Sequence, residues 1–199
     1  MGNNTHKHWF SRGYLPHFDS PGLIQSITFR LADSLPRSVL GLWQAELSAL
    51  PEDQGELQMR KRVDALLDKG TGSCHLRRPE IAGTVEDALL HFDAKRYRLI
   101  AWCIMPNHVH VLTEMSGGFP LHGVVQTWKS FTAHKANAIL GLRGEFWMRE
   151  YHDRYIRDAR HFDAIRRYIE ENPVKARLVR SREMWRWSSA WKGRRDDEH

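Results

Sequence analysis

Two histidines in one predicted strand are the side chains of this 199-residue chain with the clearest chemical potential. His108 and His110 lie in the segment HVHVLTE, whose side chains alternate between two faces, so both imidazoles point the same way. Two neutral imidazoles placed in this manner can bind one divalent cation. The alternative is a histidine pair on a solvated strand face, because short motifs often occur without function.

A tyrosine and an asparagine could complete such a site from a helix. Tyr168 and Asn172 are four residues apart and therefore neighbours on one helical face, offset from the apolar stripe of that helix. The Asn172 amide oxygen could be a third metal ligand. Tyrosine, with a pKa of about 10, is a weak nucleophile, but it can attack phosphorus covalently when a metal polarises the phosphate.

The same residues also allow alternative nucleophiles and alternative functions. Tyr151 and Tyr155 lie near Tyr168 in the sequence and are therefore alternative candidates for the nucleophile, although neither is followed by an amide side chain one helical turn later. A zinc hydrolase could combine His108 and His110 with His122 or His134, which predicts an activated water and no covalent adduct. A further alternative is a non-catalytic protein that binds structured nucleic acid, in which the two histidines and the tyrosine would have no chemical role.

The charge of the chain favours an anionic partner. Lys and Arg number 30 against 24 Asp and Glu, a net charge of +6, and basic globular domains attract nucleic acid. No apolar run approaches the ~20 residues needed to cross a bilayer, so we expect no membrane association. The basic side chains expected at nucleic acid are Arg12, Lys129, Lys135, Arg154, Arg157, Arg167 and Lys175.

The predicted elements form an α+β protein. Two apolar segments joined by the Met105-Pro106-Asn107 turn must be antiparallel strands. Residues 1–22 mix cations with aromatic side chains and predict an extended arm, followed by a single domain over 23–199. Predicted strands cover 23–31, 98–104 and 108–114, and predicted helices cover 36–50, 57–68, a segment from Thr84, a segment from Pro120, and 157–171, where Asn172-Pro173 should end the helix.

The motifs in this order resemble those of the REP-associated tyrosine transposases. MPNHVHVL, YIEENPVKARLV and the tail WRWSSA carry the resemblance. RGYLPHFDSPG, SITFRLADSLP and FWMREYHDRYIRD also look like this family, so that the likeness runs from about Arg12 to Trp191. The segment from about 35 to 83 is longer than the shortest members need, and no role is predicted for it.

The resemblance implies a fold and an activity. The implied fold is a ferredoxin-like antiparallel sheet with helices packed on one face and the histidine motif on a central strand. The implied activity is cleavage and rejoining of single-stranded DNA beside palindromic hairpins through a 5′-phosphotyrosine. By resemblance Tyr168 is the nucleophile, and His108, His110 and Asn172 bind the metal, which we expect to be Mg²⁺ or Mn²⁺. The relatives from insertion sequences more often carry Gln in place of Asn172.

The resemblance also implies a setting for the activity. We expect a bacterial protein of the cytoplasm, associated with the nucleoid and acting as a monomer or homodimer. Cys74 and Cys103 form no CxxC pair and no disulfide framework, which agrees with a reducing compartment.

Overall fold

A computed structural model describes residues 8–11, 16–19 and 22–195 of the chain. Within these residues it contains six strands and five α-helices, numbered in chain order. The strands are β1 (His8–Ser11), β2 (Pro16–Asp19), β3 (Ile24–Arg30), β4 (Tyr97–Ile104), β5 (His108–Met115) and β6 (His152–Tyr155). The helices are α1 (Arg37–Leu47), α2 (Glu52–Asp68), α3 (Pro79–Leu90), α4 (Leu121–Leu140) and α5 (Ala159–Lys175).

Four of the strands form one antiparallel sheet in the order β4-β5-β3-β6. With α3 leading into β4 and α4 leading into β6, the chain follows the β-α-β-β-α-β path of ferredoxin-like folds. The predicted α+β class and antiparallel sheet are confirmed. The histidine motif begins β5, which has a neighbouring strand on each side.

One face of the sheet is covered by α3 and α4. Val109 and Val111 of β5 point into this larger core, together with Ile27 and Phe29 of β3. Trp128 of α4 donates its indole N–H to the Tyr97 hydroxyl at 2.9 Å. That hydroxyl in turn donates to the Leu89 carbonyl of α3 at 2.7 Å, so one short chain of hydrogen bonds joins both helices to β4.

The opposite face carries α5, which corrects the expectation that all helices pack on one face. Ile169 of α5 is buried against Ala101, Cys103 and Leu112 of the sheet. Leu112 belongs to the same alternating set as the two histidines, so the histidines face α5 rather than solvent.

Two other expectations about local structure were wrong. The helix predicted from a cap at Thr84 begins five residues earlier at Pro79, because proline fits the first helical position. Helix α5 does not end at Asn172 but continues through Pro173 to Lys175. Residues of the presumed extended arm form the β1–β2 hairpin, and the arm's Arg12 lies outside the described residues.

One edge of the sheet, at β4, is covered by a segment that lies far away in sequence. The C-terminal WRWSSA segment runs along β4, where the Ile104 N–H donates to the Trp187 carbonyl at 2.8 Å. The Trp185 indole N–H also donates to the Ile104 carbonyl, at 3.0 Å. Such covering satisfies the edge and prevents pairing with another chain. No helix among the described residues is long and apolar enough to cross a membrane.

The loop after α2 has little room for side chains. Gly72 has a φ of +84°, and a Cβ there would lie 2.7 Å from the Asp33 carbonyl oxygen. We therefore expect Gly72→Ala to lower the free energy of unfolding by about 3 kcal/mol, from backbone strain and the clash together. Gly141→Ala is the matched control, since Gly141 also has a positive φ of +65° but meets no atom within 4 Å. Urea denaturation of both variants tests this, and an equal loss would contradict it.

Candidate active site

The two histidines of β5 form a close pair beneath α5. Their Nε2 atoms are 3.0 Å apart and their rings meet edge to face. Both side chains are buried, with 1% of His108 and 2% of His110 exposed. The alternative of a solvated pair is therefore wrong. Two ligands about 2.1 Å from one cation and at right angles to it are about 3 Å apart, so this spacing suits metal binding.

The orientation of His108 is set by the residue before it. Asn107 donates its amide N–H to the Thr71 carbonyl at 2.8 Å, which leaves the Asn107 Oδ1 atom facing His108. This oxygen lies 2.8 Å from the His108 Nδ1 atom and can only accept a hydrogen bond. The His108 Nδ1 atom therefore carries the proton, and its Nε2 atom presents a lone pair toward His110.

His110 is held in the same manner by β3. Its Nδ1 atom is 2.8 Å from the Thr28 hydroxyl, which can either donate or accept. When the hydroxyl donates, His110 carries its proton on Nε2 and donates to His108. When the hydroxyl accepts, the Nε2 atoms of both histidines present lone pairs to the same point, which is the arrangement that a cation requires.

The electrostatics of the pair favour neutral rings. Burial lowers the pKa of His108 well below its ordinary value, and the neighbouring His110 lowers it further. Burial also lowers the pKa of His110 to about 3, with smaller contributions from Lys175 and His152. Both imidazoles are thus neutral at physiological pH, which is the form that binds metals.

Helix α5 brings Tyr168 against the histidines. The Tyr168 ring centroid is 5.5 Å from that of His110, in an edge-to-face contact. Its hydroxyl is buried and makes no hydrogen bond of good geometry within the described residues, although the Asp64 carboxylate and the Asn172 amide lie beside it. Burial is the main reason that the pKa of Tyr168 is raised, followed by the charges of Asp64 and Asp68. The Tyr168 phenol is therefore protonated at physiological pH.

Asn172 lies one turn further along α5, as the four-residue spacing predicts. Its side chain is fully buried, and neither its Oδ1 nor its Nδ2 atom has a hydrogen-bond partner among the described residues. A buried amide without partners is costly and calls for an explanation. A cation bound at the adjacent histidines would satisfy the amide oxygen.

The competing tyrosines are placed elsewhere. Tyr151 is buried in the core beneath α4, on the other face of the sheet. Tyr155 pairs with Gln25 across β3 and β6, so it shares the face opposite the histidines. His122 and His134 belong to α4 and lie on that same opposite face, so neither can join His108 and His110 in a zinc site.

Two carboxylates at the site were missed by the sequence reasoning. Asp64 and Asp68 project from α2, in the segment to which no role was assigned. The Asp68 Oδ1 atom is 4.0 Å from the His108 Nε2 atom, and Asp64 lies at the Tyr168 hydroxyl. Their four-residue spacing shows that they share a helical face, but nothing local indicates which surface that face meets.

The predicted basic residues divide between the two faces of the sheet. Arg154 pairs with Ser26 on the histidine face of the sheet. Burial lowers the pKa of Arg154, and the charges of Arg60 in α2 and of Arg157 lower it further. Lys175 lies 4.3 Å from the centre of the Tyr168 ring. Arg167 is exposed on α5 beside Tyr168. Arg60 was not predicted as part of this surface.

Two lysines predicted at nucleic acid lie on the far side of the protein. Lys129 was expected on the polar side of α4, but it is buried and donates to the Met148 and Arg149 carbonyls at 2.7 and 2.6 Å. This expectation was wrong, because Lys129 instead fastens α4 to the segment before β6. Lys135 is exposed on α4, with its ammonium near the Phe131 ring, also remote from the histidines.

The donors present fit a divalent cation with open positions. No three His, Cys, Asp or Glu side chains within the described ranges are already arranged as a metal site. The candidate donors are instead two neutral imidazoles and a buried amide whose oxygen has no partner among the described residues. Two imidazoles and one amide oxygen would leave further coordination positions open, unlike a closed structural zinc site with four protein ligands.

Comparisons with known proteins show which family model the chain matches and which solved structures have a similar fold. Residues 80–172 match the family model described as transposase IS200 like. A search of curated proteins finds no match. The fold is similar to a solved REP-associated tyrosine transposase bound to a REP hairpin, with 15% identity, a TM-score of 0.57, and coverage of 94% of this chain and 86% of the other. A putative transposase from Deinococcus radiodurans R1 also matches, with 15% identity, a TM-score of 0.42, and coverage of 82% and 96%.

Proposed function

We propose that this chain cleaves and rejoins single-stranded DNA beside a hairpin through a 5′-phosphotyrosine, because residues 80–172 match the family model of IS200-like transposases. The observation that carries the proposal is the contact between Tyr168 and His110, whose Nε2 atom is 3.0 Å from that of His108. A nucleophile and a metal site in contact are what covalent phosphoryl transfer requires.

The ligands in this proposal are His108, His110 and Asn172. A divalent cation held there would polarise a phosphate oxygen and stabilise the charge that develops during the reaction. Asn107 and Thr28 would keep the imidazoles oriented through the Nδ1 atoms.

Tyr168 acts as the nucleophile in the proposed step. Its oxygen forms a bond to phosphorus while the bond from phosphorus to the 3′ oxygen of the preceding nucleotide breaks. The phenol proton passes to the Asp64 carboxylate beside it, and the 3′ oxygen leaves and takes a proton from solvent. The products are a 5′-phosphotyrosine and a free 3′-OH, and attack by another 3′-OH reverses the step and joins strands.

The DNA partner is inferred from charge and from the solved relative. That relative, as its description states, is bound to a REP hairpin. In this chain we assign the DNA path to Arg60, Arg154, Arg157 and Lys175, all on the histidine face, with Arg167 at its margin. Cations aligned beside a phosphoryl-transfer site attract the backbone and hold it in register.

Hairpin binding tests the partner. A DNA hairpin with a single-stranded flank should bind more tightly than plain duplex of equal length, and affinity should fall steeply with salt as contacts to phosphate release counterions. Fluorescence anisotropy at several salt concentrations measures both. Equal affinity for hairpin and duplex would contradict the proposal.

Arg154 offers a sharper version of this test. Arg154→Gln should weaken DNA binding several-fold and lower the slope of log affinity against log salt by about 1, the value for one phosphate contact. Arg143→Gln is the control, because Arg143 is exposed just beyond the end of α4, the helix on the other face of the sheet. An unchanged slope in Arg154→Gln, or an equal change in the control, would remove Arg154 from the DNA path.

A further inference from the structure

Helix α2 ends against the metal-binding side of the histidine pair. Its last residue, Asp68, has its Oδ1 atom 4.0 Å from the His108 Nε2 atom. That oxygen is buried and has no hydrogen-bond partner among the described residues. The Asn172 amide, also buried without a partner, belongs to the same site through its neighbour Tyr168.

The placement of Asp68 is electrostatically unfavourable without a cation. A carboxylate at the C-terminal end of a helix faces the negative end of the helix dipole. Asp64, one turn earlier, adds a like charge on the same face. A divalent cation beside His108 would relieve all of these costs.

The chain holds Asp68 in this position through the loop that follows it. Thr71, three residues later, accepts the hydrogen bond from Asn107, whose Oδ1 atom orients His108. Leu76 donates its N–H to the Pro106 carbonyl at 3.1 Å, so the same loop is fastened twice to the turn before β5. The end of α2 and the histidine motif are therefore held together as one unit.

We propose that Asp68 is a carboxylate ligand of the divalent cation, so that the metal site combines His108, His110 and Asn172 with an acidic residue from α2. This inference rests on the proposed function. Two ligands of one cation at about 2.1–2.3 Å are separated by about 3–4.5 Å, depending on the angle between them, and 4.0 Å lies within that range. A hard carboxylate oxygen favours Mg²⁺ and Mn²⁺, whereas imidazoles alone suit zinc equally well.

Metal affinity measured without DNA tests the assignment. Asp68→Asn keeps the size of the side chain and removes its charge, so Mn²⁺ binding by isothermal titration calorimetry should weaken at least about tenfold. The loss should be smaller for Zn²⁺, because the nitrogen ligands remain. Asp64→Asn is the matched control: it removes the same charge one turn away, from a residue that faces Tyr168, and should change Mn²⁺ affinity by less than about threefold.

The possible outcomes separate the inference from the proposed function. If His108→Ala abolishes Mn²⁺ binding while Asp68→Asn binds as wild type, the metal site stands and Asp68 is not a ligand. If Asp64→Asn and Asp68→Asn weaken binding equally, the effect is one of general charge and the inference is overturned. If His108→Ala binds Mn²⁺ as tightly as wild type, the histidine metal site of the proposed function fails.

Discussion

Tyr168→Phe is expected to fold, to bind the hairpin substrate as wild type does, and to form no covalent adduct with DNA. The substitution removes only the phenol oxygen and keeps the ring that contacts His110 and lies beneath the Lys175 ammonium. Without that oxygen no bond to phosphorus can form, so nicking should fall by about a thousandfold or more. Labelled single-stranded substrate with Mn²⁺ on denaturing gels shows both adduct and nick.

Two other tyrosines provide the controls for this experiment. Tyr151→Phe and Tyr155→Phe should keep adduct formation, because both tyrosines lie across the sheet from the histidines. Peptide mass mapping locates the adduct in wild type. An adduct on either of these residues, or nicking that survives in Tyr168→Phe, would show that the nucleophile is misassigned. Nicking without an adduct in any variant would instead favour an activated water.

His110→Ala should reduce cleavage by about a thousandfold or more, and EDTA should do the same to wild type. The variant removes one ligand of the proposed cation, and the charge stabilisation lost with a metal amounts to several kcal/mol. His110 is buried and bonded to Thr28, so we also expect a loss of about 1–3 kcal/mol in the free energy of unfolding.

Folding and metal effects can be separated in the same series. Circular dichroism and urea denaturation establish that His110→Ala remains folded under the assay conditions. His134→Ala is the matched control, because His134 is exposed on α4, on the opposite face of the sheet. It should cleave as wild type does, whereas the zinc-hydrolase alternative that uses His134 predicts a loss. Full cleavage by wild type in EDTA would contradict metal dependence.

The sequence predicted those features that depend on local spacing. Alternation in a strand is a local property, so it showed that His108 and His110 share a face. The helical repeat likewise showed that Tyr168 and Asn172 are neighbours. The turn at Met105-Pro106-Asn107 made the strands on either side antiparallel, as observed.

Helix α5 shows where a local rule was outweighed by packing. The rule that proline disfavours helical geometry at the preceding residue predicted an end at Asn172. The helix nevertheless continues, because the chain makes hydrogen bonds beyond Pro173, such as that from the Ala176 N–H to the Asn172 carbonyl at 2.9 Å. Ile169, Asn172 and Pro173 are all buried, Ile169 against the sheet, and this burial holds the last turn in place.

The sequence by itself determined which residues are paired within a strand or a helix, and through the resemblance it indicated a family and an activity. Only the tertiary structure decided that α5 and α2 meet the histidine face, that Lys129 is buried, and that Tyr151 and Tyr155 are turned away. Asp68 lies forty residues before His108, and its carboxylate reaches the histidine pair because hydrogen bonds to Asn107 and Pro106 fasten the intervening loop to the turn before β5. Contacts of this range depend on how separate elements pack, and no periodicity in the chain encodes them.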